Sequence, residues 1–418
     1  MPPTRIVLGM SAVMLCARGA LALDPVLVPA WSGPIPDPSK PLAGLKQVPG
    51  FEATRVYKAT PALGTYNHAA MILLHDDQLL VTWKNGVRDE DSAGQRVMYS
   101  QSTDGVTWTP SDGSNIMFPN MSTAANPAHL FAGPPIVLNG RVYASASPKQ
   151  FCLFPDQYQN QLLLRRVYTN TTMLLGSPFW AASTIPAGFE EASKLRGVVT
   201  SNMMDSQTIA DVALLTANAT DPPCAASLQK DHSNKCEACR GACQDWDATL
   251  WLNLANERTH YVTPQGVDVM LYRSRERLLF ASTRQGGAAG DWSKIVKSGI
   301  PDIDSNINAG TLPDGRTFLV SNAVPGAKIR DPLTIATSKD GTTFGDAAVA
   351  ISCTELKPGG SSSDPCLPAY AGGAKEPGPS YPQAAVIQGW PGAKDGLYFV
   401  VTNNKEDVWV VRLPLANF

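Results

Sequence analysis

The strongest constraint on this chain is a short pattern that occurs twice, far apart. Ser102-Thr103-Asp104-Gly105-Val106-Thr107-Trp108 recurs as Ser338-Lys339-Asp340-Gly341-Thr342-Thr343-Phe344. Each copy follows a strand-like run, residues 96–101 and 331–337. A Ser and an Asp two positions apart fold their oxygens back onto backbone N–H groups, and the following Gly supplies a positive φ. The pattern is therefore a hairpin turn, and the aromatic residue that ends it packs beneath the hairpin. A turn stapled in the same way at two distant places implies a supersecondary unit used more than once.

The rest of the chain divides into such units. Strand-like runs lie at residues 70–74, 78–83 and 96–100, then at 133–144 with an Asn139-Gly140 turn, and at 161–168. They resume at 259–262, 267–273, 277–282 and 308–320, the last turned at Asp314-Gly315, and finish at 396–402 and 407–412. Asn-Gly and Asp-Gly between apolar runs mark hairpins. Gly and Pro number 34 each while only 17% of residues are charged, which suits strands and turns better than helices. Short strands in repeating units of roughly 40–60 residues predict an all-β propeller. Five units are visible and one, across residues 189–257, is obscured. Six blades are expected, with seven as the alternative and a two-sheet sandwich as the architectural rival. Residues 189–196 suit one short helical turn. A strand at 51–57 is expected to pair with the last unit and close the ring.

The domain plan has four parts. Residues 1–22 read as a secretory signal: Arg5, an apolar run over 6–16, and an Ala20-Leu21-Ala22 cleavage site. The alternative is a retained N-terminal anchor. Residues 23–50 are rich in proline and irregular. Residues 51–418 form one domain, interrupted by a Cys-rich insertion near 219–245 and a low-complexity loop at 354–380. Sequons at Asn120, Asn170 and Asn218 agree with secretion. Cys353 and Cys366 bracket a Gly/Ser/Pro loop and are expected to form a local disulfide. Cys152, Cys224, Cys236, Cys239 and Cys243 are odd in number, so one thiol stays free or pairs between chains. With His232 the insertion also has a zinc-ligand spacing, but a distant second ligand pair is lacking and disulfides are the preferred reading. The net charge of −2 gives no reason to expect nucleic acid or an anionic membrane as partner. No Walker loop, nucleophile elbow, His-Glu-x-x-His or dinucleotide fingerprint occurs, and no cofactor or metal is expected.

The twice-used turn resembles the Asp-box of sialidase-type propellers, in a variant one residue shorter than the commonest form. The resemblance extends over roughly residues 60–415. It includes Tyr66-Asn67-His68, the loop from Trp83 to Arg96 with Glu90 and Asp91, residues 308–316, Ser380-Tyr381-Pro382-Gln383, and Asn404-Lys405-Glu406-Asp407. It implies a sialidase-like β-propeller whose substrate residues sit at matching ends of the inner strands. In sialidases the first such segment carries an arginine for the sialic acid carboxylate; here Asn67 stands in that place, followed by His68. This departure is similar to the sialidase-like branch that includes enzymes removing rhamnose from glucuronic acid, where a histidine of this kind is implicated in catalysis. The resemblance assigns an acid/base role to Glu90 or Asp91, a nucleophile or base role to Tyr381, and the partner role to Glu257. It assigns a grip on the sugar carboxylate to Arg273 and Arg330, whose planar guanidinium suits a two-pronged contact. Asn67 is a candidate substrate contact, and Asn306 and Asn308 either contact sugar hydroxyls or turn the chain.

Three functions follow. The leading one is a secreted exo-acting enzyme that cleaves a terminal sugar from an acidic glycan, as a glycoside hydrolase or a uronate lyase. The second is a true exo-α-sialidase, with Arg55, Arg273 and Arg330 as its arginines. The third is a propeller that binds a glycan or a protein without turnover. A pocket joining His68, Glu90, Arg273 and Tyr381 favours an enzyme; their dispersal to outer strands favours a binding module.

Overall fold

The computed structural model describes residues 27–90, 92–149, 162–168, 174–217, 257–287, 290, 292–356 and 364–418. Among these the chain forms five sheets built as propeller blades. Blade I runs Tyr66–His75, Gln78–Gly86, Arg96–Ser102 and Ile116–Phe118. Blade II runs His129–Leu138, Arg141–Lys149 and Leu163–Tyr168, with the short pieces Phe179–Trp180 and Val199–Thr200 at its outer side. Blade III comprises Arg258–Val262, Asp268–Tyr272, Leu278–Arg284 and Val296–Pro301. Blade IV comprises Asn308–Thr311, Thr317–Ser321, Leu333–Ser338 and Asp346–Ile351. Blade V comprises Pro379–Ile387, Gly396–Asn403 and Asp407–Leu413, and its fourth strand is Glu52–Tyr57 from the start of the chain. The ring closure expected from the sequence is thus present. Pairs such as Thr54 with Val410 and Ala53 with Val411 form it.

Blade faces are buried on both sides, so the middle strands are mostly apolar, with polar residues such as Lys84, Thr402 and Asn403 buried at their ends. Every residue of Gly396–Asn403 is buried. One core between blades joins Val56, Ile72, Val81 and Met98 to Tyr398, Val400 and Val410. Another joins Phe318, Val320 and Ile335 to Phe399, Val401 and Val411. Burial of this extent, at about 25 cal/mol per Å² of apolar area, is the main force holding blade to blade.

Both Asp-boxes lie at the turn after the third strand, in blades I and IV. Asp104 Oδ1 accepts from the amides of Val106 (2.8 Å) and Thr107 (2.6 Å) and from the Ser102 hydroxyl (3.0 Å). Asp340 Oδ1 accepts in the same way from Thr342, Thr343 and Ser338. Gly105 and Gly341 have φ of 74° and 73°. Burial opposes the charge on Asp104, but the Thr107 and Val106 amides outweigh it and hold the carboxyl down at about 2. Phe344 is buried, edge-on to Tyr261. Asn139 and Gly140 both have positive φ, as the type I′ hairpin turn requires.

The proline-rich segment is pinned to blade IV. Ala30–Trp31 pairs in parallel with Thr343–Phe344, and Val48 donates to the Val349 carbonyl. The obscured unit is the main departure from expectation. Residues 190–217 supply two helices, Glu190–Arg196 and Ser206–Ala217, where a blade with a single helical turn was expected. Glu190 and Glu191 in its first turn, Lys194 and Arg196 in its last, and Gly197 in the left-handed region beyond suit the first helix. The second is tied to blade II by Asp211, which is buried and accepts from Asn139, Arg141 and Tyr143. The Cys-rich insertion lies outside the described residues, with Cys152, Asn170 and Asn218. Cys353 and Cys366 form the expected disulfide. Among the described residues no helix is long and apolar enough to cross a membrane.

Candidate functional site

Antiparallel blades put the start of each inner strand and the loop between its second and third strands at one end of the ring. The Asp-boxes, after third strands, lie at the opposite end. All the candidate residues that are described belong to the first end.

Two irregular strands aim the central pair. The inner strand of blade I slips register between His68 and Met71, with Ala69 at φ 50°. The inner strand of blade V slips between Ser380 and Gln383, with Tyr381 itself at φ 60°. A non-glycine residue in this region is strained, and such strain persists only where the surroundings enforce it. The bulges turn both rings inward, and their centroids lie 3.9 Å apart.

Arg273 holds the cluster together. Its Nη1 donates to the Tyr381 hydroxyl oxygen at 2.5 Å and to Glu257 Oε2 at 2.8 Å, and its Nε donates to Asp304 Oδ1 at 2.6 Å. Its amide also donates to the Glu257 carbonyl, which locks the two residues' backbones. Arg330 Nη2 donates to the Asp304 carbonyl at 3.0 Å, and its guanidinium lies 5.4 Å from the Tyr381 ring centre. Asp304 thus serves both arginines, one through its side chain and one through its backbone. It sits at φ 74°, held by Asp302, whose Oδ2 accepts from the Asp304 and Ser305 amides.

Glu90 joins through lysines. Its Oε2 takes a bond from Lys405 Nζ at 2.8 Å, and its carbonyl takes one from Lys84 Nζ at 3.0 Å. Lys84 is buried, 3.5 Å above the Phe131 ring. Lys405 Nζ also lies 3.1 Å from Glu376 Oε2, the oxygen that meets Arg330 Nη1.

Protonation follows from burial and neighbours. His68 is held well below the usual histidine range by burial, then by the positive charges of Lys405, Arg330, Lys84 and Arg273. It is a neutral imidazole at working pH, with Nδ1 3.2 Å from Thr402 Oγ1. Burial pushes the Tyr381 phenol well above its ordinary value, against the pull of Arg273, so it is protonated. Burial also works against the charge on Arg273, but Tyr381, Glu257 and Asp304 keep it ionised.

His68, Glu90, Glu257, Arg273, Arg330 and Tyr381 are therefore in one connected network. Glu257 meets Tyr381 through Arg273 Nη1. Two expected substrate contacts also bond to the scaffold. Asn67 is buried, its Oδ1 accepting from Trp83 Nε1 (3.1 Å) and Asn85 Nδ2 (2.8 Å). Asn308 stitches blade IV to blade V, donating to Gln383 and accepting from the Ala384 amide. Arg55 is on the outer strand of blade V, beside Asp407 and Trp409, so it is no third arginine of this site. Asp91 lies outside the described residues. Sequence reading missed Lys84, Asp302, Asp304, Glu376 and the side-chain role of Lys405; the signal available was the run of charged residues at loop ends between strands.

A BNR repeat-like domain model matches residues 210–389. No match was found among the curated proteins. Among solved structures, a sialidase superposes with a TM-score of 0.67 at 18% identity, covering 93% of this chain and 35% of its own. This chain thus spans about a third of that sialidase's length. A mutant of Trypanosoma rangeli sialidase displaying trans-sialidase activity gives 0.47 at 11% identity, covering 88% and 60%. The Podospora anserina α-L-arabinofuranosidase gives 0.41 at 11%, covering 88% and 96%. From its blades and its Asp-boxes the chain is a β-propeller with the fold of that first sialidase, and residues 210–389 match a BNR repeat-like domain.

Proposed function

We propose that this protein is a secreted, exo-acting carbohydrate-active enzyme that cleaves a terminal sugar from an acidic glycan. The observation that carries the proposal is the triple junction at Arg273. One guanidinium nitrogen serves Tyr381 and Glu257 while the ring of His68 lies 3.9 Å from that of Tyr381. A binding module has no need of a neutral histidine, a protonated tyrosine and two buried arginines in contact. Secretion is part of the proposal, supported by the N-terminal pattern of residues 1–22 and by the Cys353–Cys366 disulfide.

Two bond-breaking routes use these residues. In elimination, Arg330 and Arg273 balance the charge of a uronate carboxylate, which acidifies the adjacent C–H. His68, already neutral, takes that proton; the C–O bond one carbon further on breaks, and the double bond forms between the two carbons. With His68 as base, Tyr381 is the acid that returns a proton to the leaving oxygen. In hydrolysis, Glu90 protonates the leaving oxygen and the glycosidic C–O bond breaks as water attacks the anomeric carbon and passes its proton to Glu257; if Tyr381 attacks instead, Glu257 takes the phenolic proton and a water then releases the sugar from Tyr381. With Asn67 in place of an arginine, the preferred substrate is non-sialic, such as a rhamnose-capped glucuronate. Release of sialic acid is the second reading, supported by the joining of Tyr381, Glu257, Arg273 and Arg330.

The test is incubation with sialyl-lactose and with a rhamnose-capped glucuronan such as gum arabic. Free rhamnose with new ultraviolet absorbance from an unsaturated uronate means a lyase, and free rhamnose without it a hydrolase. Free sialic acid establishes the second reading. Silence on both substrates moves the weight to other sugars or to a binding module.

A further inference from the structure

One oxygen of Glu376 faces two cations at once, Lys405 Nζ at 3.1 Å and Arg330 Nη1. The two sides of this contact differ in kind. The Lys405 and Arg330 side chains are 3% and 7% exposed, whereas that of Glu376 is 43% exposed. The cations are fixed from behind. Arg330 is held by the Asp304 carbonyl on Nη2, by the Pro377 carbonyl on its amide and by Asn322 Nδ2 on its own carbonyl. Lys405 sits at φ 53° after Asn404 at φ 59°, two left-handed residues in succession. The Asn404 side chain clamps that turn, accepting from the Gly378 amide and donating to the Pro365 and Leu367 carbonyls. The Lys405 carbonyl accepts the Asn67 amide at 2.8 Å. Lys405 is thereby anchored to the very residue that stands where an arginine was expected.

Glu376 comes from a strap, residues 364–378, laid over this end of the ring. The strap is tethered at the Cys353–Cys366 disulfide, at Glu406 by the Ala369 and Tyr370 amides, and at Asp89 by Gly373. None of these bonds involves the Glu376 carboxylate, so that side chain can swing out while the strap stays in place.

We infer that Arg330 and Lys405 form a carboxylate seat that Glu376 fills from within, and that the carboxylate of an acidic sugar takes its place. The inference rests on the acidic-glycan reading above and adds to it Lys405 as a further cation and Glu376 as an internal competitor. Fixed, buried cations opposite a glutamate whose side chain is 43% exposed make Glu376 the partner that exchanges. Two cations then meet the incoming anion, while Lys405 keeps its bond to Glu90 and couples that residue to occupancy of the seat. An affinity measured with the competitor present is reduced by the fraction of time the seat is open.

The test is equilibrium titration of the full chain with D-glucuronate and N-acetylneuraminate as acidic probes and D-glucose as the neutral one. Wild type is compared with Glu376→Gln, Glu376→Ala and Lys405→Met, each checked for a native melting transition. Both Glu376 variants are expected to bind an acidic probe about tenfold or more tightly than wild type, with no change for glucose. Lys405→Met, if folded, is expected to lose about tenfold in affinity for the same probe. Equal or weaker acidic-probe binding by folded Glu376 variants overturns the seat, and so does failure of wild type and both variants to bind either acidic probe. Turnover on the two glycans separates the two readings. Tighter binding in the Glu376 variants without turnover keeps the seat and sinks the enzyme. Turnover with KM and probe affinity unchanged in those variants keeps the enzyme and sinks the seat.

Discussion

Asp302 offers the sharpest quantitative test. Its side chain is fully buried; Oδ2 accepts two backbone amides, and Oδ1 has no partner among the described residues. Burial pushes its carboxyl up to about 7 from 3.8, with the Ser305 and Asp304 amides and Arg273 pulling down and Asp304 pushing up. The folded value lies above the unfolded one, so the folded state holds a proton that the unfolded chain gives up. Stability is then greatest below about pH 4 and falls as pH rises, levelling off above about pH 7. The full span is about 4 kcal/mol at 1.36 kcal/mol per pH unit. Most of it, about 3 kcal/mol, falls between pH 5 and pH 8. Asp302→Asn has the shape of the protonated acid and does not titrate. Urea unfolding of both proteins at pH 5 and pH 8, with m-values compared, should show the stability of the variant relative to wild type rising by about 3 kcal/mol across that range. An unchanged difference, or one that moves the other way, would mean that the two amides keep Asp302 ionised.

Other outcomes follow from single contacts. Tyr381→Phe should retain the fold to within about 1 kcal/mol but lower kcat on the responsive glycan by about 100-fold or more, measured by released sugar. Arg273→Lys leaves Glu257, Asp304 and Tyr381 without the fork that joins them; urea unfolding should show a loss of about 3 kcal/mol, and activity should not recover. Asp340→Ala removes three bonds from a turn at the far end, and should lower stability by about 2 kcal/mol with kcat and KM unchanged. Replacing Cys353 and Cys366 by Ser opens a loop of sequence separation 13, and a melting or urea series should show a loss of about 3 kcal/mol.

What could be read from the chain was local. The Asp-box is made by Ser102, Asp104, Val106 and Thr107, all within five positions, so its hydrogen bonds are written in the sequence itself. The same holds for the Asn139-Gly140 turn and for the cysteines bracketing one loop. The ring-closing strand at 51–57 was legible as a strand, and its pairing with the last unit is the expected one. The helices of 190–217 were not legible as a pair, since the second is held by Asp211 reaching back some seventy residues to Arg141.

For the site, residue types were legible and roles were not. His68, Tyr381, Glu257, Arg273, Arg330 and Glu90 stand out as ionisable groups at unit boundaries, and the fold joins them. Asn67 looked the same in sequence, yet Trp83 and Asn85 bind its oxygen from the neighbouring strand. By itself, then, the sequence determined a stapled, repeated β unit, one disulfide and a set of candidate groups, because strand alternation and turn chemistry act over a few residues. The tertiary structure alone decided that Lys405 reaches Glu90 across 315 positions, that Arg273 reaches Tyr381 across 108, and that Glu376 lies between two cations. Those contacts depend on closure of the ring, which brings loop ends from every part of the chain to one place and leaves no trace in the spacing of any one segment.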